Sequence, residues 1–449
     1  MQGKQEQQLR LWQAINLEML VPQNHILRQI DRVLDLSFLR PLVADLYHSH
    51  LGRPSYPPEL ILRMFLLSYL YNLSDVRVCE EVAMHAGFRW FCRLNFDDPV
   101  PDRTTLVKIR KRWGQAGVFE EVMRRVVQQC IDAGLVRGQR LGVDGTQVTA
   151  NAATNSLEPI VPVQSLEEYL QRTREEDIDS EGRRSGGPQD PPGAAAQPPR
   201  RRGGDPNFRG ERFSNRTHRS VTDPDARLYR KGASQEAKLR YMVHNVVDLD
   251  SGVILATGAT QAASWAERTA AEAMMPQVLS LLPPQCNRKV FADAGYQAGE
   301  FLAAMLALGL QPIVPMTKLE PEPLPSWKRP PRDLDQARKR RQRLLLARAR
   351  NAVRAQLSER RLRQQYRARM RVEHLFAEAK ECHGLGRARY RGLQKVHWQA
   401  LWTAIVQNLK RLATFVGGRR QTPRAAALSA PPVAVLLFCH LRMTALADW

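Results

Sequence analysis

The chain has no apolar run approaching the roughly 18 residues that a membrane span requires. Its longest candidates, residues 64–71 and 433–439, have the length of core segments. The first residues, MQGKQEQQLR, are polar and lead into no apolar signal segment, so secretion is not expected. Cysteine is scarce: six residues lie far apart and none forms a CxxC pair, which points to a reducing compartment and away from a zinc ribbon. Lysine is scarce too, at 12 of the 67 basic residues, but codon usage in a GC-rich genome gives the same skew towards arginine. The total charge is the better guide. Only 45 acidic residues oppose those 67, leaving a formal net charge of +22 and a pI near 10.3.

Such an excess calls for a polyanionic partner, and with no membrane span the expected partner is nucleic acid. The 43% hydrophobic content supplies a large core, so wholesale disorder is excluded. The expected organisation is an all-helical domain over residues 1–138, an α/β domain over 139–415, and a tail over 416–449. In the first, Pro57 and Pro58 can open a helix, since a first-turn residue needs no N–H. Asp102 is a candidate N-cap for a helix carrying Lys108, Arg110 and Arg112. Short helices ending in a basic one suit a DNA-binding module, and equally suit a plain bundle with a solvated charged face.

From Arg140 the pattern changes to a strand, an insertion, a hairpin about 250–252, then alternating helices and strands near 264–282, 289–292, 299–308 and 312–315. The insertion, 152–232, is rich in Gly, Pro, Arg and Ser, and its middle cannot bury enough apolar surface to order itself. A second, basic insertion covers 316–360, before a long helix over about 357–380. Without the insertions this is an α/β fold, a mixed sheet flanked by helices.

Asp144 is read as ending the first strand and Asp293 the fourth, where ligand sites of α/β sheets lie. Carboxylates there can hold Mg²⁺, whose hard oxygen chemistry suits phosphate substrates. Asp-Gly and Asp-Ala-Gly are also ordinary turns. The late helix is sharper: at about 100° per residue, Tyr366, Arg369, Glu373 and Lys380 share an arc of about 60°. Val372, Leu375, Phe376 and Ala379 form an adjoining apolar face. A metal ligand flanked by phosphate clamps accounts for that face, as does a glutamate that only neutralises nearby arginines. His374, Cys382 and His383 lack a fourth ligand for zinc, and Trp265 is read as core.

Tyr366-x2-Arg369-x3-Glu373-x6-Lys380 resembles the Y-x2-R-x3-E-x6-K signature of DDE transposases of bacterial insertion sequences. So do LGVDGT at the first aspartate, FADAGYQAGEFL at the second, GLGRARYRGL after the glutamate, and the stretch from RPSYPPELILRMF to TTLVKIRKRWG. The resemblance implies a ribonuclease H-like catalytic domain preceded by an all-helical N-terminal domain. It implies a catalytic, metal-binding triad of Asp144, Asp293 and Glu373 with two Mg²⁺ or Mn²⁺ ions, and DNA contacts from Tyr366, Arg369 and Lys380. The implied activity is cleavage of double-stranded DNA at element ends and strand transfer into target DNA, by a homo-oligomer in the cytoplasm, at the nucleoid. A nuclease that cuts without joining, or an inactive DNA-binding derivative, are the alternatives.

Overall fold

The computed structural model describes residues 16–48, 54–160, 214–215, 217–230, 236–263 and 265–421. The helical region runs α1 (Leu17–Leu20), α2 (Ile26–Asp31), α3 (Leu39–Val43), α4 (Pro58–Leu70), α5 (Asp75–Met84), α6 (Ala86–Cys92), α7 (Arg103–Gln115) and α8 (Val118–Asp132). Pro58 occupies the first turn of α4, whose residues 60–69 are all buried. The Asp102 carboxylate accepts from Thr105 N at 2.7 Å and starts α7.

The remainder is β1 (Arg140–Thr149), β2 (Leu157–Pro159), β3 (His218–Ser220), β4 (Arg227–Tyr229), β5 (Lys238–Asp248), β6 (Ile254–Gln261), α9 (Ala266–Leu281), β7 (Lys289–Phe291), α10 (Gly299–Ala307), β8 (Gln311–Ile313), α11 (Leu334–Gln356), α12 (Glu359–Glu381) and α13 (Leu393–Gln421). The main sheet runs β6–β5–β1–β7–β8, with β4 against the start of β5. β6, β5 and β1 are antiparallel, whereas β7 and β8 run parallel to β1. The β5–β6 turn is held by the buried Asp248 carboxylate, which accepts from Ser251 Oγ at 2.6 Å and Gly138 N at 3.0 Å.

Two edges of the expected insertion 152–232 are ordered parts of the fold. β2 pairs with β3 and β4 with β5, and Asp223, fully buried, accepts from Tyr241 Oη at 2.6 Å and Gly392 N at 3.1 Å. Asp225 accepts from Leu393 N at 3.0 Å, so the pair caps the start of α13. The Gly- and Pro-rich middle, 161–213, lies outside the described residues, as does 422–449 of the expected tail.

The helical region shares its core with α13. The Trp402 ring lies 5.5 Å from Phe65, 5.3 Å from Phe119 and, stacked at 13°, 5.9 Å from Tyr69. Arg389 donates to Ser68 Oγ and Leu73 O, both at 3.0 Å, and its guanidinium covers the Tyr69 ring. Arg110 corrects an expectation. It is 4% exposed and forms a two-point ion pair with Asp75, whose carboxylate also accepts from Tyr390 Oη, so it faces the interior and not DNA. Its position on the inner side of α7, beside Leu106 and Trp113, puts it under Tyr390.

Removing one partner of a buried ion pair strands the other charge, at a cost of about 3–5 kcal/mol. Arg110→Ala is expected to lower the urea midpoint accordingly, while Lys108→Ala, exposed on the same helix, leaves it unchanged. An unchanged midpoint for Arg110→Ala would return that residue to the surface.

Candidate active-site cleft

Asp144 lies in the middle of β1, not at its end. Beyond Gly142 the strand leaves β7 behind and continues to Thr149 along β5, with a single parallel bridge from Thr149 to Arg387 on its other side. The parallel register ends at Gly142–Phe291, and Asp144 and Asp293 each follow two residues later. The expected juxtaposition at the carboxyl end therefore holds for the parallel pair, although the strand itself runs on. The Asp144 carboxylate accepts from Gly145 N at 2.8 Å, and that of Asp293 from Gly295 N at 2.8 Å.

Glu373 comes from α12, which packs on the sheet through Val372, Leu375, Phe376 and Ala379, all buried. Val372 and Phe376 meet Leu249, Phe291 and Ile313 in one apolar cluster. Gly142 permits this approach: a Cβ there would stand 2.6 Å from Leu249 Cδ2 and 2.9 Å from Val372 Cγ2. Glu373 and Lys380 are exposed on the outer side of the helix. The side chains of Tyr366 and Arg369 lie outside the described residues.

Asp144, Asp293, Glu373 and Lys380 all line one polar cleft of about 810 Å³. The carboxylates share the cleft without meeting at a point, and among the described residues no three acidic, histidine or cysteine side chains converge at ion-binding range. Their chemistry nonetheless fits a hard divalent cation, since every candidate donor is a carboxylate oxygen on a polar wall. The cleft also holds Glu267, Arg240, Tyr229 and Thr146, which no motif in the sequence singles out. Their sequence signals are slight: Arg240 is a charge near the start of the apolar strand β5, and Glu267 is an acid in a helix first turn. Tyr296 is buried beneath this region. Burial, with the charges of Glu267, Asp144 and Asp293, pushes its hydroxyl well above the usual tyrosine range.

Five residues after Glu373, Glu378 fastens α12 to α13. Its carboxylate accepts from Lys410 Nζ at 2.6 Å, Arg411 Nη2 at 2.8 Å and Gln407 Nε2 at 3.0 Å, with His383 Nε2 at 3.6 Å. His383 also meets Tyr69 O at 2.9 Å inside the core, which accounts for it without zinc. Trp265 is 60% exposed, contrary to its reading as core. Lys108 and Arg112 remain on the surface of α7, the latter with its guanidinium over the Tyr47 ring.

Two family models match the chain: a Transposase domain (DUF772) over residues 15–112 and a Transposase DDE domain over 214–409. The chain is a DNA transposase of the DDE class, an enzyme that binds DNA, and enzymes of this class generally use divalent metal ions. The DDE match takes in Asp293 and Glu373 but starts after β1, so Asp144 joins them through the sheet register and the cleft alone. No solved structure matches the chain. Among the described residues, no helix is long and apolar enough to cross a membrane.

Burial raises the pKa of Glu378, but the neighbouring His383 imidazole, the hydrogen bonds from Lys410 and Arg411 and the charge of Arg411 outweigh burial and hold it well below the ordinary 4.5. A depressed folded value contributes stability above the unfolded pKa and loses it as pH falls. The melting-temperature gap between wild type and Glu378→Gln is thus expected to be full near about pH 6 and to shrink below about pH 4. A gap independent of pH would contradict the ion-pair account.

Proposed function

We propose that the cleft is the strand-cleaving centre of a transposase of the Y-R-E-K group, from a bacterial insertion sequence. Asp144, Asp293 and Glu373 would hold two divalent ions, Mg²⁺ or Mn²⁺. When bound, such ions activate the attacking oxygen and stabilise the leaving one in phosphoryl transfer. The observation that carries this reading is that carboxylates from β1, from the end of β7 and from α12 line one cleft together with Lys380. A ribonuclease H-like fold is the matching architecture, supported by the order β6–β5–β1–β7–β8 with its antiparallel first half and parallel second half.

The chain's own residues then divide the work. The three carboxylates turn a local negative charge towards the reacting phosphate's counterions, while the surrounding +22 chain draws the DNA in. Lys380, on the helix that bears Glu373, contacts a phosphate beside the scissile one, and Tyr366 and Arg369, on the preceding turns, serve the same strand. Arg240, half-buried at the cleft, is a further phosphate contact. Lys108 and Arg112 contact DNA from α7. The substrates are double-stranded element ends and target DNA, handled by a homo-oligomer in the cytoplasm at the nucleoid.

Asp144→Asn, Asp293→Asn and Glu373→Gln keep size and remove charge. Each is expected to bind element-end DNA normally and to cut it roughly 1000-fold more slowly, about 4 kcal/mol of barrier. Wild-type cleavage by any of the three removes that residue from the triad. Lys380→Ala is expected to slow single-turnover cleavage at saturating DNA and to shallow the salt slope of binding by roughly 0.9. Cleavage of pre-paired ends without joining to target would favour a nuclease instead.

A further inference from the structure

Glu267 stands in the first turn of α9, outside the three-carboxylate signature, yet it lines the same cleft. Gly145, the strand residue after Asp144, makes room for it. A Cβ at Gly145 would lie 3.0 Å from Glu267 Cγ and 3.2 Å from its Oε1, so this carboxylate rests against the backbone beside Asp144. Carboxylate oxygens from two elements lining one cleft are the donor type that a hard divalent cation takes.

Two buried polar groups mark the same place independently. His244 is the register partner of Gly145 and is fully buried. Its Nε2 meets Thr260 Oγ1 at 2.7 Å, whereas its Nδ1 has no hydrogen-bond partner among the described residues and lies 2.9 Å from where the Gly145 Cβ would be. The hydroxyl of Tyr296, also fully buried, has no such partner either, and among carboxylates it feels Glu267 first, then Asp144 and Asp293. Buried polar atoms are nearly always hydrogen-bonded. Several buried polar atoms of the described residues lack a partner, and these two lie behind the cleft wall formed by Gly145 and Glu267, where a polar ligand would serve them.

We propose that Glu267 is a fourth carboxylate of the catalytic centre, donating an oxygen to a divalent cation held beside Asp144, with Gly145 kept free of a side chain to let it reach. This rests on the assignment of Asp144, Asp293 and Glu373 above. A first-turn glutamate can also serve only to complement its helix dipole, and the two roles separate in ion binding.

The test is Mn²⁺ binding to the full-length chain without DNA, by electron paramagnetic resonance, with thermal melts as the check on folding. Glu267→Gln is isosteric and is expected to weaken Mn²⁺ about 10-fold or more while melting near the wild type. Gly145→Ala, which displaces the Glu267 side chain, is expected to weaken it in the same direction, and Asp144→Asn more strongly. Wild-type affinity in Glu267→Gln alongside a loss in Asp144→Asn overturns the role of Glu267 and leaves the triad standing. Wild-type affinity in both overturns the triad, and this proposal with it.

Discussion

Burying α13 on all sides is the constraint from which the rest of the architecture follows. Residues 398–409 are buried without a break, over three turns of helix. A helix apolar all round belongs in the centre of a core, but this one also carries Gln399, Thr403, Gln407 and Asn408, and each must find a partner there. Gln399 donates to Gly384 O and Arg387 O and accepts from Arg389 N. Gln407 holds α12 through Leu375 O, and Asn408 exchanges two 2.8 Å bonds with the Ile254 backbone of β6. The polar groups of one buried helix thus fix the sheet, the helix bearing Glu373 and the segment that follows it. That segment returns to β1, where Thr149 N donates to Gly386 O and Ala388 N to Thr149 O.

The same helix explains why two glutamates of α12 have different fates. Glu378 faces α13 and is surrounded by Lys410, Arg411 and His383, so the protein neutralises it internally. Glu373 lies on the outer side and opens to the cleft with Asp144 and Asp293. Five carboxylates, those of Asp144, Glu267, Asp293, Glu373 and Glu381, line the cleft with two cations, Arg240 and Lys380. In a protein of +22 charge, that gathering is a local field of opposite sign facing an anionic substrate.

Features set by local chemistry are legible in the amino-acid sequence. Pro58 at a first turn, Asp102 as a cap and the apolar face of Val372, Leu375, Phe376 and Ala379 follow from periodicity and capping alone. Features set by tertiary contact are not. The continuation of β1 past Asp144 depends on β5 extending beyond β7, and no residue within LGVDGT signals it. Arg110 reads as one more cation in a basic helix until Asp75 and Tyr390 enclose it. Asp223 and Asp225 hide at the edge of a low-complexity stretch although they cap α13. Trp398, Leu401, Trp402, Ile405 and Leu409 do carry a helical period, which is the sequence signal of α13. Glu267 has no signal beyond an acid in a first turn, because its meaning comes from Gly145 on a distant strand.

The central claim is that Asp144, Asp293 and Glu373 form one divalent-ion site. Its most direct test is anomalous diffraction from crystals of the full-length protein with element-end DNA and Mn²⁺. The account predicts anomalous peaks in the cleft within about 2.0–2.3 Å of carboxylate oxygens of Asp144 and Asp293, with Glu373 completing the shell. Peaks confined to other surfaces, with the three carboxylates paired only to protein cations, would contradict it.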